Sequence, residues 1–573
     1  MKKFQTEREM QRTALLKEGD YKSIRDMLDR LCKRQPQDPI LAELDGQDRL
    51  VTYTVHDLYE EVMNLGDGLL SAGLGGAHIA IIAENCCRYI FSDIAISNGV
   101  GVVTPIDAYA PDEQMALLLN ACDADAVLCG LEFLDKVRSL QPSCPRLKTL
   151  IVLDGEAEGC LGYDEVVARG KALSGNSVYR NLELDMDAPA KILFTSGTTG
   201  SNKGVVLTNA NLTANMINCM DTVQAMPGNT SLSVLPMHHA TEINANIMSR
   251  IGSGRLTYIN GNIRNLMANM KRFRPDVMTV VPMIVSAFYK SIWAGAKKNG
   301  KEEKLRKGIK LSNLLRTFGI DKTHQLFADV FAPFGGRLCM IVCGGSMLNP
   351  EVIRGMNDLG VRIENAYGIT ECGPLISMNA ETLKEHLSVG RPCPGLEVRL
   401  DAPDENGIGE ICVRGKSVAK GYYKDPEATA QVFDADGFFH TGDMARQTSE
   451  GRLFLMGRKK NTIILPNGKN VNPEEVENVL ETRLPYVDEV VVYQADYRSR
   501  DVMVAGLYIK DEERRADRTA ILADVRRVND SLEAYKRIEY VELPEGEYPK
   551  TRTRKIRRQE LPASCSGKGL EIM

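Results

Sequence analysis

The 573-residue sequence contains no run of 18 or more apolar residues, so no stretch is long enough to be read as a transmembrane helix. It has no excess of basic charge. Lysine and arginine number 71 against 76 acidic residues, a formal net charge of −5, which argues against general electrostatic binding of nucleic acid. The start, Met1 to Met10, is charged and lacks the apolar segment of a signal peptide. None of the 14 cysteines falls in a CxxC pair, and neither Cys86-Cys87 nor the Cys339 and Cys343 pair has histidines at zinc-ligand spacing. Scattered cysteines without a secretory signal predict reduced thiols and a cytoplasmic location. No internal repeat or long low-complexity segment is present.

What is present is a chain too long for one hydrophobic core, which predicts at least two domains. The stretch Thr195-Ser196-Gly197-Thr198-Thr199-Gly200-Ser201-Asn202-Lys203-Gly204 lies between two apolar runs, Ile192–Phe194 and Val205–Leu207. Its glycines let backbone N–H groups approach an anion, its hydroxyls add donors, and Lys203 adds a point charge. This composition suits a polyphosphate, although the GxxxxGK[ST] pattern of a Walker A loop does not fit. A flexible surface turn is the alternative reading of these ten residues alone.

Around it the pattern alternates strands and helices, which predicts βαβ units and a mainly parallel sheet. Residues 1–50 read as charged helices. Thr54 reads as the N-cap of a helix that ends before Gly73, His78–Ala83 as a buried strand, and Asn209 and Asn349 as caps of later helices. The basic stretch 297–310 reads as a solvated helix or loop. After about residue 395 short strands with Gly, Asp and Asn turns dominate, and from about 462 an α+β pattern begins.

Four more stretches carry chemistry. Asn365-Ala366-Tyr367-Gly368-Ile369-Thr370-Glu371 offers an aromatic and an acid on one turn, able to stack a base and hold a cation. His440-Thr441-Gly442-Asp443 offers a carboxylate for ribose hydroxyls, or simply a turn. Gly457-Arg458-Lys459-Lys460-Asn461, at the expected domain boundary, reads as both hinge and ligand contact or as a solvated basic linker, and Tyr548 to Arg558 reads alone as an exposed basic tail.

In their order and spacing these motifs together resemble the adenylate-forming superfamily of acyl-CoA synthetases, peptide-synthetase adenylation domains and luciferases. The likeness runs from the helix after Thr54 to about Leu561. It implies an α/β fold: a large N-terminal domain of two sheet-and-helix subdomains plus a small β-barrel (1–457), a hinge at 458–461, and a small mobile α+β C-terminal domain (462–573). It implies that Thr195–Gly204, with Lys203, covers the ATP β- and γ-phosphates. Tyr367 packs on adenine within Asn365–Gly368, Thr370 contacts the α-phosphate, and Glu371 binds Mg²⁺. Asp443 binds ribose with Arg458 assisting, Lys460 is the hinge, and Lys555 bridges the substrate carboxylate and ATP. Arg554 stands where the family usually has glycine.

His239 aligns with the histidine at the mouth of the acyl pocket, and Gly344 and Gly345 are expected to line that pocket. Glu242 nearby has no role in this reading. The implied reaction forms an acyl-adenylate and transfers the acyl group to coenzyme A. The basic 297–310 segment and the Gly457–Lys460 motif resemble long-chain fatty acyl-CoA synthetases. Two alternatives stand beside this: loading of an acyl carrier protein, and a non-catalytic nucleotide- or acyl-binding sensor. Oligomeric state is open.

Overall fold

The computed structural model describes residues 16–17, 19–196, 202–224, 228–379, 387–465, 469–550 and 556–572. The chain divides into two compact units, 1–398 with 413–439, and 399–412 with 440–573. The segment 458–461, expected as a hinge, lies within the second unit.

The first unit is built on two large sheets. One has eight strands in the order Gly421–Tyr422, Asn202–Thr208, Pro189–Ser196, Val102–Pro105, His78–Ile82, Ala126–Cys129, Thr149–Val152, Leu161–Gly162. The other has nine, in the order Arg391–Pro392, Leu375–Met378, Arg362–Gly368, Met340–Cys343, Val277–Val280, Thr230–Ser233, Leu256–Ile259, Pro39–Leu44, Leu50–Thr54. Pairing is parallel in the middle of both sheets and antiparallel at their edges, except at Leu161–Gly162, which pairs parallel. Interior strands such as Ile79–Ile82 and Ala126–Cys129 are apolar throughout and fully buried, as parallel strands covered on both faces must be.

The helix after Thr54 spans Val55–Ser71, and Thr54 and Asp57 close a capping box at its start. Two expectations need correction. Residues before 50 are not all helical: after the helix Ile24–Arg34 the chain forms the strand Pro39–Leu44. Pro36 and Pro39 end the helix, and the apolar run that follows pairs with Leu256–Ile259. The helix expected from Asn209 is capped one residue earlier. Thr208 Oγ1 accepts from Asn211 N (3.2 Å), while Asn211 Oδ1 accepts from Thr208 N (2.9 Å).

In the second unit, Glu489–Asp496, Asp501–Tyr508, Tyr540–Glu542 and Leu570–Glu571 form a sheet. The helices Pro473–Arg483 and Arg518–Asn529 bury Val476, Leu480, Ile521 and Val525 in the core they share with it. The strands expected to make a small barrel form a four-stranded sheet, Leu396–Asp401, Ile408–Gly415, Phe439–Gln447 and Leu453–Arg458, most of whose residues belong to this unit.

Candidate active site

The described ends of the glycine- and hydroxyl-rich stretch lie on two paired strands. Pro189–Ser196 runs antiparallel to Asn202–Thr208 and pairs Thr195 with Lys203. Thr195 Oγ1 donates to the Lys203 carbonyl at 3.5 Å. Gly197, Thr198, Thr199 and Gly200 and the side chain of Ser196 lie outside the described residues. The short strand Gly421–Tyr422 pairs with Val205 and Val206, which sets the Tyr422 ring beneath Lys203. Lys203 Nζ lies 4.9 Å from the ring centroid, within cation–π range.

The Tyr422 hydroxyl turns the other way and donates to Glu371 Oε1 at 2.9 Å. Burial first, and the neighbouring carboxylate second, push the Tyr422 phenol far above the usual tyrosine range, so it stays a donor. Tyr422 therefore joins the hairpin to the acidic turn. The motifs did not include it. Gly421 before it has φ +139°, and nothing local in the sequence marks the tyrosine itself.

Asn365, Ala366, Tyr367 and Gly368 end the strand Arg362–Gly368, whose Tyr367 is buried opposite Ser377. A tight turn, Thr370–Cys372, follows, and the Glu371 carbonyl accepts from Ala419 N at 2.7 Å. The Glu371 carboxylate makes no ion pair with any described residue, and its described hydrogen bond comes from a neutral hydroxyl. A hard anionic oxygen in that state fits Mg²⁺.

Beneath the hairpin lies a buried ion pair. Lys191 Nζ donates to Asp93 Oδ2 and to Asn244 Oδ1, each at 2.7 Å. Asn244 Nδ2 in turn reaches the Gly373 carbonyl at 3.4 Å, just beyond Glu371. Burial raises the Asp93 carboxyl and lowers the Lys191 ammonium, and each is opposed by its partner.

His239 ends the loop Leu235–His239, which Asn85 clamps by donating to the Leu235 carbonyl (2.7 Å) and accepting from Met237 N (2.9 Å). The His238 and His239 rings lie 4.2 Å apart. Burial holds the His239 imidazole below the usual histidine range, against the pull of Asp107. Gly345 has φ +92°, and a Cβ on Gly344 would stand 3.3 Å from the Ala366 carbonyl. The glycine turn therefore adjoins the strand that carries Tyr367.

Glu242, without a role in the sequence reading, does not line the turn. It is fully buried, and its Oε1 accepts from Ser233 Oγ and from Asn246 Nδ2 (2.9 Å). Asn246 Oδ1 accepts from Thr279 Oγ1 at 3.0 Å. Glu242 thus pins together the ends of Thr230–Ser233 and Val277–Val280. Burial pushes its carboxyl up to about 7, with the Ser233 and Asn246 bonds opposing.

The second unit holds the other predicted residues. Arg458 Nε donates to Asp443 Oδ1 at 2.7 Å, across a register that sets the two opposite each other. Gly442, at φ +71°, makes the turn before Asp443. Glu410 holds that turn: it accepts from Gly442 N (3.0 Å), and Lys459 Nζ lies 2.7 Å from its other oxygen. Asp401, Glu410 and His440 offer ligand atoms within 4.8 Å of one another, but the Lys459 ammonium already neutralises Glu410.

Burial first, then Arg458 and Arg558, hold the Lys460 ammonium below the usual lysine range. Arg558, at the end of the segment read alone as an exposed basic tail, is anchored. Its Nη2 donates to both Glu477 carboxylate oxygens (2.6 and 2.5 Å), and its Nη1 donates to the Val492 carbonyl at 2.9 Å. Lys555 and Arg554 lie outside the described residues.

Comparison with known proteins agrees with this arrangement. Residues 28–423 match the AMP-binding enzyme family and residues 460–565 the AMP-binding enzyme C-terminal domain. A peroxisomal long chain acyl-CoA synthetase 7 of Arabidopsis thaliana is 28% identical over 79% of this chain and 68% of its own length. A chloroplastic long-chain-fatty-acid–[acyl-carrier-protein] ligase of Arabidopsis thaliana is 28% identical over 88% of this chain and 78% of its own. The crystal structure of an anthranilate CoA ligase, AuaEII, in complex with anthranoyl-AMP superposes with a TM-score of 0.73 at 19% identity, covering 94% of this chain and 96% of that one. The fold is thus that of the adenylate-forming enzymes, and the chain belongs to the AMP-binding enzyme family.

Proposed function

We propose that this protein is an AMP-forming acid–thiol ligase that activates a medium- or long-chain fatty acid with ATP and passes the acyl group to coenzyme A. The observation that carries the reading is the line Lys203–Tyr422–Glu371, in which the Lys203 ammonium lies over the Tyr422 ring and the Glu371 carboxylate accepts from its hydroxyl. A polyphosphate with its counter-ion asks for such a pair.

The chemistry brings an anionic carboxylate against an anionic α-phosphorus, so neutralising charge and orientation carry the rate more than acid–base catalysis. The carboxylate oxygen attacks the α-phosphorus, the bond to the β-phosphate oxygen breaks, and pyrophosphate leaves. The thiol sulfur then attacks the acyl carbon, and AMP departs with the oxygen that had belonged to the acid.

In this reading Lys203 faces the leaving phosphates, Tyr367 packs on adenine, and Thr370 contacts the α-phosphate. Asp443 and Arg458 hold ribose, and Lys555 steadies the attacking carboxylate. Glu371 would hold Mg²⁺, which supplies charge neutralisation on the phosphates. His239, whose imidazole burial holds below the usual histidine range, suits the mouth of a pocket for an alkyl chain, because burial disfavours a charge there. Lys460 is the pivot by which the C-terminal domain admits the thiol. Fourteen free cysteines favour a reducing compartment, the cytoplasm. No described helix is long and apolar enough to cross a membrane.

The test is a panel of fatty, aromatic and amino acids assayed for pyrophosphate and AMP release, with CoA or with a phosphopantetheinylated carrier protein. The reading expects fatty acids with CoA to turn over fastest. Preference for the carrier protein would move the acceptor, and turnover of amino acids alone would overturn the acid class. Lys555→Ala is expected to abolish acid-dependent pyrophosphate release while leaving ATP binding nearly intact.

A further inference from the structure

We propose that the helix Glu302–Thr317 and the turn after it form a docking surface for an anionic lipid membrane. The helix buries Leu305 and Ser312 and shows its other face to water. On that outer face Lys304, Lys307, Leu311 and Leu314 follow one another at three- and four-residue spacing, and Phe318 continues the row. Leu311 is 48% exposed, Leu314 56%, Phe318 73% and Ile320, in the turn, 46%. Four large apolar side chains exposed within ten residues of chain is more than scattered surface hydrophobics amount to, and a contiguous apolar patch marks an interaction surface.

The charge around the patch is basic. Residues 297–322 carry nine lysines and arginines against three acids, in a chain whose formal net charge is −5. Lys307 pairs with Glu303 and Arg306 with Glu302, each at 2.9 Å. Lys304 and Lys310 make no ion pair with any described residue and are exposed. An apolar strip flanked by lysines is the composition of a segment that lies in the membrane interface. The apolar side chains enter the acyl boundary and the ammonium groups meet lipid phosphates.

The apolar side chains stand out from the solvent face of a helix and its following turn. This is a shape that enters a soft planar layer, and an acidic protein partner would have to supply the matching groove. The surface rests on these side chains and not on the ligase reading, although a fatty acid dissolved in lipid would be met there.

The test floats the full-length protein with vesicles of phosphatidylcholine alone, or of phosphatidylcholine mixed with phosphatidylglycerol. The expected result is binding at least roughly tenfold stronger to the anionic vesicles, weakening as salt is raised. L311S/L314S/F318S should lose most of that binding, and K304E/K307E/K310E should lose the preference for anionic lipid. These positions are solvent-exposed, so both variants should keep the thermal unfolding midpoint of the parent.

Absence of flotation, equal flotation with neutral vesicles, or insensitivity to salt would overturn the proposal using the unaltered protein alone. Variants that float as the parent does would also overturn it. Binding to an acidic carrier protein that both variants lose, without vesicle binding, would assign the surface to a protein and sink the membrane proposal. Flotation needs no turnover. A chain that floats but activates no acid keeps this surface and loses the ligase reading.

Discussion

The Tyr422 hydroxyl donates to Glu371 Oε1 across 2.9 Å. The two residues are 51 positions apart, and the pairing of Gly421–Tyr422 against Val205 and Val206 brings the tyrosine to the hairpin. Tyr422→Phe keeps the ring for Lys203 and removes only the hydroxyl. One such bond contributes about 0.5–1.5 kcal/mol, roughly two- to tenfold in kcat/KM. The loss should be partly recovered by raising Mg²⁺, and a Mg²⁺ titration of both proteins checks it.

Lys191 and Asp93 make a second prediction. Both are fully buried, so removing one partner strands the other charge in the core. Lys191→Met or Asp93→Asn alone should cost about 3–5 kcal/mol of stability, and the double variant should recover most of it. Urea unfolding of the three proteins measures the cycle.

Glu242 gives a pH dependence. Its carboxyl is raised to about 7 in the folded protein, against an ordinary value of 4.5, so the native state holds this proton more tightly than the unfolded chain. Its stabilising contribution is complete below pH 4.5 and is lost as pH rises towards 7, by up to about 3 kcal/mol. Glu242→Gln cannot ionise. Relative to Glu242→Gln, the parent should lose stability between these two pH values, which urea midpoints at pH 5 and pH 8 compare.

Glu410 holds the turn before Asp443 through the Gly442 N–H at 3.0 Å. Burial tends to raise its carboxyl, but Lys459, His440 and that N–H outweigh it and keep the group below the usual range. Glu410→Ala should therefore raise the KM for ATP several-fold with a smaller change in kcat. Initial rates over a range of ATP concentrations separate the two.

The sequence carried the architecture well because buried parallel strands are short continuous apolar runs, and Ile79–Ile82 and Ala126–Cys129 read that way at once. The N-cap at Thr54 was legible because its chemistry is local. Pro39–Leu44 was not: its antiparallel partner Leu50–Thr54 is near, but the parallel partner that takes it into the large sheet, Leu256–Ile259, is more than two hundred residues away. Among the candidate site residues, Tyr367, Glu371 and Lys203 stood in recognisable motifs. Tyr422, Asn85 and Asn244 carry no local mark, because each acts on a segment distant in sequence. Glu242 has no role legible in the sequence, because only the fold shows that Ser233 and Asn246 face it.

The most direct test of the chemistry follows one oxygen. The protein is supplied with ATP, CoA and a long-chain fatty acid labelled with ¹⁸O in its carboxylate, and the AMP formed is analysed by mass spectrometry. Attack of the carboxylate on the α-phosphorus predicts one labelled oxygen in each AMP, with unlabelled pyrophosphate. Unlabelled AMP, or label in inorganic phosphate beside ADP, would contradict it.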